Sequence, residues 1–279
     1  MVHVIKSAPV FDLKYHTFQV SPFLKDIIEE VWTISNEGGN TEYSPTQKCF
    51  SPGYVELIIH TDKGRYIERK ANGWAPYPEA FLGGITKTAH EWRALADSSM
   101  LGIRFKPEGL MRLLDIPLSL IGDLFLDVRD LKSAVLDNLQ EIMQRKQPME
   151  QRLFSMEAYL YELLKQRQQS LNLVQLALPI LRECQECTVA DLAQRLHICE
   201  RQLQRYFEQE YGYTPKTYQK MSRLARFHQN AIKRRQVSMQ ELSWSLGYSD
   251  TSHLSKDFKS FFGVSPGAYF QNLSIRSMN

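Results

Sequence analysis

Between Thr188 and Phe270 the chain states nearly the same pattern twice, and this near-repeat constrains its fold more than any other feature. The stretch YFEQEYGYTPKTY (Tyr206 to Tyr218) aligns with DFKSFFGVSPGAY (Asp257 to Tyr269). Phe207 matches Phe258, Gly212 matches Gly263, Pro215 matches Pro266 and Tyr218 matches Tyr269, each pair 51 positions apart. Upstream, DLAQRL (Asp191 to Leu196) parallels ELSWSL (Glu241 to Leu246) at an offset of 50, so one turn carries an extra residue. Two copies of one short structural unit are the simplest reading.

Each copy predicts a helix-turn-helix. In the first, Thr188 caps a helix whose apolar face is Val189, Leu192, Ala193 and Leu196. A break at His197-Ile198 leads to a second helix that turns Leu203, Tyr206 and Phe207 inward. In the second, Ser238 and Glu241 have the spacing of a capping box, where hydroxyl and carboxylate each satisfy an orphan amide. That helix stops at Gly247, which lacks the β-carbon that would resist the turn. Ser249 or Asp250 then caps a helix carrying Leu254, Phe258 and Phe261. Gly212 and Gly263 end the second helices, and Thr214-Pro215 and Ser265-Pro266 open the next ones with a hydroxyl cap and proline at the first position.

Two helix pairs alone make only a small bundle, and such geometry does not by itself bind DNA. The outward faces carry the distinction. Arg201, Gln204 and Arg205 share one face at i, i+3 and i+4. Arginine forks onto guanine and glutamine onto adenine in the major groove, so these side chains suit base reading. The second unit offers Thr251, Ser252, His253, Ser255 and Lys256. A solvated charged surface is the plainer reading of either helix alone, but the repeat and both faces coincide.

With these residues in view, the chain resembles the AraC/XylS family of bacterial transcription regulators. LGYSDTSHLSKDFKSFFGVSPGAY, in the second unit, closely matches that family's signature, and the first unit fits its looser half. The match covers roughly the last 100 residues. The resemblance implies two helix-turn-helix units joined by a long helix, legible from Pro215 to about Ile232, that sets both second helices in successive major grooves of double-stranded DNA. It places base reading on Arg201, Gln204 and Arg205, and on Ser252 and Lys256 with His253 beside them. Arg223, Arg226, Lys233, Arg234 and Arg235 are candidate phosphate contacts, and RNA polymerase is an expected partner. Two positions depart from the family pattern. Cys199 stands where a Ser or Thr cap is usual, which softens the start of that helix. Tyr269-Phe270 replaces a closing Tyr-Arg and removes one phosphate contact.

Charge is divided along the chain. From Asn172 onward there are 14 Lys and Arg against 9 Asp and Glu, a balance of +5, while the remainder carries −2. A basic module beside a faintly acidic one suits DNA binding by one part only. No apolar run approaches the roughly 20 residues of a membrane span, and MVHVIKSAPVFDL lacks the apolar core of a secretory signal. Four cysteines without framework spacing indicate a reducing cytoplasm. Cys184-x-x-Cys187 with His197 and Cys199 lacks the second C-x-x-C of a zinc site, so no metal and no cofactor are expected.

Residues 1–145 read as a β-rich, barrel-like domain with helices at its end. Phe50 to Gly64, Ala80 to Ile85 and Ser98 to Gly109 are short apolar runs punctuated by Gly and Pro. Val55, Leu57 and Ile59 alternate with Glu56, Ile58 and His60, the pattern of a strand buried mostly on one face. Ser21 to Ile34 reads as opening helically and passing into a strand, and the helical period returns from Pro107 to about Arg145. Val31-Trp32, Pro52 to Ile58 and Leu101 to Leu110 resemble the amino-terminal domain of one subgroup of these regulators. In the wider family such domains are β-barrels that sense small molecules. Trp32, Tyr54, Trp74, Tyr77 and Trp92 are the candidate lining of an effector pocket, although core is the better reading of any single one. His60 with Asp62 and His90 with Glu91 are the acid/base pairs, but no nucleophile elbow or phosphate loop accompanies them, so the chain is not expected to be an enzyme.

Residues 146–171 form a helical linker or dimerisation segment with Leu153, Met156, Leu160, Leu163 and Leu164 on one stripe. That stripe serves a homodimer or packs on the β-domain. Residues 172–279 are the all-α DNA-binding domain, in which Pro179 is expected to kink or break the opening helix. The expected whole is an α+β multidomain regulator of transcription controlled by a small-molecule effector. Two rivals stand beside it. One is a ligand-independent regulator whose front domain mediates dimerisation or protein contacts. The other is a catalytic front domain like that of the alkyl-transfer repair regulators, for which Cys49 is the sole cysteine in the first 145 residues.

Overall fold

The computed structural model describes residues 12–37, 43–44, 46–49, 53–61, 66–85, 90–95, 98–122, 125–167, 170–184, 187–233, 239–245 and 247–267. Strands β1 (Asp12–Phe18), β2 (Ile28–Glu37), β9 (Ser98–Phe105), β4 (Val55–His60), β7 (Ala80–Gly83) and β10 (Phe125–Asp127) lie side by side in that order in a six-stranded antiparallel sheet. A second sheet runs β3 (Gln47–Cys49), β8 (His90–Ala94), β5 (Tyr66–Lys70) and β6 (Gly73–Pro76). The chain crosses between sheets after β2, β3, β4, β6, β7 and β8. The β-rich domain is therefore two stacked sheets, and among the described residues no ladder closes them into the expected barrel.

Alternation within the large sheet explains the stacking. Val55, Leu57, Ile59, Leu101, Ile103 and Phe105 point to one face and join the helices in the main core. Trp32, Ile34, Ile58, Phe81 and Met100 point to the other and meet Tyr66, Trp92 and Ala94 of the small sheet. All six residues of β4 are buried, so the expected one-sided burial of that strand is corrected. The second sheet covers what reads in sequence as an exposed face. Ser21 to Ile34 resolves into a 3-10 turn, Pro22–Leu24, followed by β2.

Helix α1 (Pro107–Leu114) lies between β9 and β10, and α2 (Val128–Leu131), α3 (Ala134–Gln144) and α4 (Met149–Gln166) follow β10. Proline stands at the start of α1, and Ser133 caps α3. In α4, Met156 and Leu160 are buried and Leu153, Leu163 and Leu164 pack against the same core. The predicted stripe thus faces inward, while Phe154 and Tyr161 stand exposed on the opposite side.

The helical region comprises α5 (Leu173–Glu183), α6 (Val189–Arg195), α7 (Glu200–Glu210), α8 (Pro215–Lys233), α9 (Met239–Ser245) and α10 (Thr251–Phe262). Asn172 and Gln175 close a reciprocal capping box at the start of α5. That helix runs through Pro179 without the break that is one of its two expected outcomes. The missing amide costs one bond to Gln175, but Ala177, Leu178 and Leu181 are buried around it and hold the helix.

This region docks on the helix-covered side of the sandwich. Arg182 of α5 pairs with Glu108 of α1, and Tyr213 Oη donates to the Ile85 carbonyl at 2.8 Å. Ser119 Oγ donates to the Gln209 carbonyl at the end of α7. A β-carbon at Gly109 would stand 2.4 Å from Ile27 Cα, so only glycine lets α1 lie this close to the chain entering β2.

Candidate nucleic-acid interface

The first helix pair is built from local signals. Thr188 N–H donates to Asp191 Oδ2 at 2.9 Å, and Asp191 N–H donates to Thr188 Oγ1 at 3.1 Å. The bonds from Thr188 hold the Asp191 carboxyl below its usual value. After α6, His197 takes a left-handed turn at φ 55. Helix α7 begins at Cys199, whose N–H donates to Gln202 Oε1 at 3.2 Å. Leu203 and Phe207 are buried, and Arg201, Gln204 and Arg205 are exposed on the opposite face. Gln204 lies 3.4 Å from Glu208 Oε1, and the Arg205 guanidinium rests 5.4 Å from the Tyr206 ring centre.

The second pair repeats this geometry with changed chemistry. Gly247, at φ 71, takes the place of His197. The inserted residue falls at Ser249, between the turn and the cap. Asp250 caps α10, accepting from Ser252 N–H at 2.8 Å and His253 N–H at 2.9 Å. The His253 amide bond, foremost, lowers the Asp250 carboxyl from its usual value. The His253 ring also turns to Asp250, with Nδ1 3.1 Å from Oδ2. Thr251, Ser252 and Lys256 remain exposed alongside it. Gly212 and Gly263 end the two second helices at φ 87 and φ 70.

Helix α8 joins the pairs, and several residues that hold α10 on it escape a reading for base contacts. Lys220 Nζ lies 2.6 Å from Asp257 Oδ1, and Tyr248 Oη donates to Asp257 Oδ2 at 3.2 Å. Ser243, fully buried in α9, donates to the Asp250 carbonyl at 2.9 Å. Arg223 lies at the second turn, its Cζ 4.0 Å from where a Gly247 β-carbon would stand. Asp62, Arg234, Arg235, Ser238, Leu246, Tyr269 and Phe270 lie outside the described residues, as do the side chains of Arg226 and Lys233.

The sheets separate the five aromatic effector candidates. Trp32 and Trp92 belong to the inter-sheet cluster, and Tyr77 packs against it. Tyr54 lies instead near the interface with the helical region, where burial, foremost, raises its hydroxyl pKa. Trp74 occupies the outer face of the small sheet.

Beside Trp32, Glu56 Oε1 accepts from Trp32 Nε1 at 3.1 Å and Arg104 Nε at 2.7 Å. Arg104 also pairs with Glu30, which accepts from Tyr15 Oη at 3.3 Å. Burial drives Glu56 up to about 8 against the pull of the Trp32 bond, and Glu30 adds to the rise. Two carboxylates share one guanidinium, so the upward direction holds despite the close Arg104 contact. Trp92 Nε1 is buried without a hydrogen-bond acceptor. Among the described residues no group of three His, Cys, Asp or Glu is placed to hold a metal ion, and no helix is long and apolar enough to cross a membrane.

Residues 192–272 match a family model described as a helix-turn-helix domain, of the AraC type. The match runs from within α6 through α10. The carboxyl-terminal module is an AraC-type helix-turn-helix domain. This domain supports DNA binding and transcription regulation by the chain. Residues 16–127 match a second family model, a domain of unknown function designated DUF6597. No curated protein matches the chain.

Among solved structures, the unsaturated-fatty-acid-bound form of ToxT from Vibrio cholerae is similar at 12% identity and a TM-score of 0.44, covering 95% of this chain and 96% of that one. A probable AraC family regulator from Rhodopseudomonas palustris is 23% identical over 37% of this chain and 97% of its own, with a TM-score of 0.34. A DNA-binding transcriptional dual regulator from Escherichia coli is 21% identical over 39% and 97%, also at 0.34. The AraC-type assignment rests on the domain match and the duplicated geometry rather than on these likenesses.

Proposed function

We propose that the AraC-type domain reads two successive major grooves, α7 entering one and α10 the next. Two equivalent second helices, exposed on their outer faces at either end of α8, carry this reading. Helix α8 has 19 residues and spans about 28 Å at 1.5 Å per residue, comparable to the roughly 34 Å between successive grooves on one side of a duplex. Arg201, Gln204 and Arg205 read one groove, and Ser252 and Lys256 the other. His253, held by Asp250, acts mainly in setting the helix start. Arg223, Arg226, Lys233, Arg234 and Arg235 position the protein on phosphates without specifying sequence.

Selection of bound sequences from a random duplex library tests this, repeated with Arg205→Ala and Lys256→Ala. Two preferred blocks about 10 base pairs apart, each blurred by its own variant, are expected. Arg205→Ala should cost about 1–3 kcal/mol at one base step. Uniform weakening across all sequences would instead make Arg205 a phosphate contact.

The division into a front domain (1–145), a linking segment (146–171) and a DNA-binding domain (172–279) belongs to the same proposal. The front domain takes a small-molecule effector between its sheets, at Trp32, Tyr77 and Trp92, and the regulator works in the cytoplasm as a dimer in contact with RNA polymerase. The unpartnered Trp92 Nε1 supports an effector. An effector acts only if it binds one arrangement better than another. Trp32 packed flat on Gly102 favours the ligand-independent rival, because it fills that end of the space: a β-carbon there would stand 2.1 Å from Trp32 Cε2. A thermal-shift screen with metabolites separates the readings, a raised midpoint supporting the effector and none supporting the rival.

A further inference from the structure

We propose that the outer face of the four-stranded sheet docks an extended acidic segment of a partner protein. Trp74, on β6, faces away from the inter-sheet cluster, and two guanidinium groups approach its ring. Arg93 of β8 lies 4.4 Å from the ring centre and Arg69 of β5 lies 5.6 Å from it. The register makes them neighbours, since Arg69 pairs with Trp74 and Arg93 pairs with Ile67 next to Arg69.

Neither arginine has a carboxylate partner among the described residues. Arg93 Nε donates to Thr46 Oγ1 at 3.1 Å, which steadies the group while its two terminal nitrogens stay available. Glu91, on the same face, stands across the ladder from Lys48. Most arginines elsewhere in the β-rich domain are neutralised, as Arg104 is by Glu30 and Glu56. The outer face thus holds two unneutralised forks on one aromatic plate.

Planar forks suit carboxylates, which they bind through two parallel bonds. Stacking on Trp74 limits the freedom the guanidinium groups would lose on binding. Strand β6 ends its sheet, so one of its edges presents backbone groups that no described strand pairs. An extended peptide can add there as a further strand, placing alternate side chains over the two arginines.

Position selects protein over DNA as the source of the negative charge. The AraC-type domain packs on the helix-covered face of the large sheet through Arg182 and Glu108. The small sheet stacks on the other face, about 10 Å away by ordinary sheet spacing, with its arginines turned further outward. A duplex held by α7 and α10 belongs to the opposite side of the sandwich.

The test is fluorescence anisotropy with the full chain and a labelled decapeptide of alternating glutamate and valine. A lysine–valine decapeptide and a labelled random-sequence duplex serve as companion probes. The glutamate peptide should bind saturably, the lysine peptide should not, and Arg69→Ala/Arg93→Ala should weaken the glutamate peptide by about tenfold or more. Arg69→Lys/Arg93→Lys, which keeps charge without the fork, should give a smaller loss, and duplex affinity should stay level throughout. The inference is overturned by absent peptide binding, by equal affinity in the alanine variant, or by a parallel loss of duplex affinity, which would give this face to DNA.

Discussion

Arg182 and Glu108 form the polar centre of the contact between the helical region and the β-rich domain. Arg182 Nη1 donates to Glu108 Oε2 at 3.0 Å and Nη2 to Oε1 at 2.5 Å, with the side chains only 15% and 9% exposed. Burial works against the charged guanidinium, but the bonds and charge of Glu108 outweigh it and hold Arg182 above its ordinary pKa. Arg182→Met keeps much of the stem and leaves Glu108 charged where water scarcely reaches. Removing one partner of a buried pair costs about 3–5 kcal/mol. The residual exposure here favours the lower end, about 3 kcal/mol. At roughly 2–4 °C per kcal/mol for a large domain, the unfolding midpoint should fall by about 6–12 °C. Glu108→Leu/Arg182→Met removes both charges and should recover most of the loss, giving a coupling of about 2 kcal/mol. Urea unfolding of the four chains, followed by tryptophan fluorescence, measures the cycle. A loss below about 1 kcal/mol in Arg182→Met, or a double variant equal to the sum of the singles, would refute the reasoning.

Three further outcomes are expected. The raised Glu56 carboxyl, about 8 when folded against 4.5 as its ordinary value, binds a proton more tightly in the folded chain. Stability should therefore decline as pH rises from about 4.5 to about 8 and level off above, by a few kcal/mol at most; denaturant titrations across pH should show Glu56→Gln flattening this slope. Gly102→Ala drives a methyl into the buried Trp32 ring and should cost about 1–3 kcal/mol, read as a lower urea midpoint. Cys199→Ser supplies a hydroxyl cap to α7 and should add about 0.5–1 kcal/mol, visible in the thermal midpoint; an unchanged or lower value would mean that the Gln202 bond already suffices.

The helical module was legible because its signals are local. Thr188 lies three residues from the Asp191 that completes its cap, and Gly212 and Gly263 mark helix ends without reference to the rest of the chain. The β-rich domain concealed more, because its partners are distant in sequence. Glu56, Ile58 and His60 read as a weakly buried face until Tyr66 and Trp92, from another sheet, are set over them. The five aromatic candidates looked alike as residue types, yet strand parity sends Trp32 and Trp92 inward and Trp74 outward. Even residue parity fails at β2, where the pairing register shifts between Ile28 and Glu30.

The repeat itself hides an asymmetry. In the turn after the first helix, His197 and Gly247 occupy equivalent places and share a positive φ, a conformation glycine adopts freely and a side chain resists. The first copy nevertheless carries histidine there, and the helices on either side of it are fixed by more than the turn. Its neighbours Arg182, Gln209 and Tyr213 all bond to the β-rich domain. The second copy is tied by Lys220 and Tyr248 to Asp257, within the module itself. Matching sequences thus produce matching helix pairs in unlike surroundings: one shares an interface with the β-rich domain, and the other takes its orientation from α8. That difference resides in Glu108, Ile85 and Ser119, which lie outside the repeat, so comparing the two copies could not reveal it.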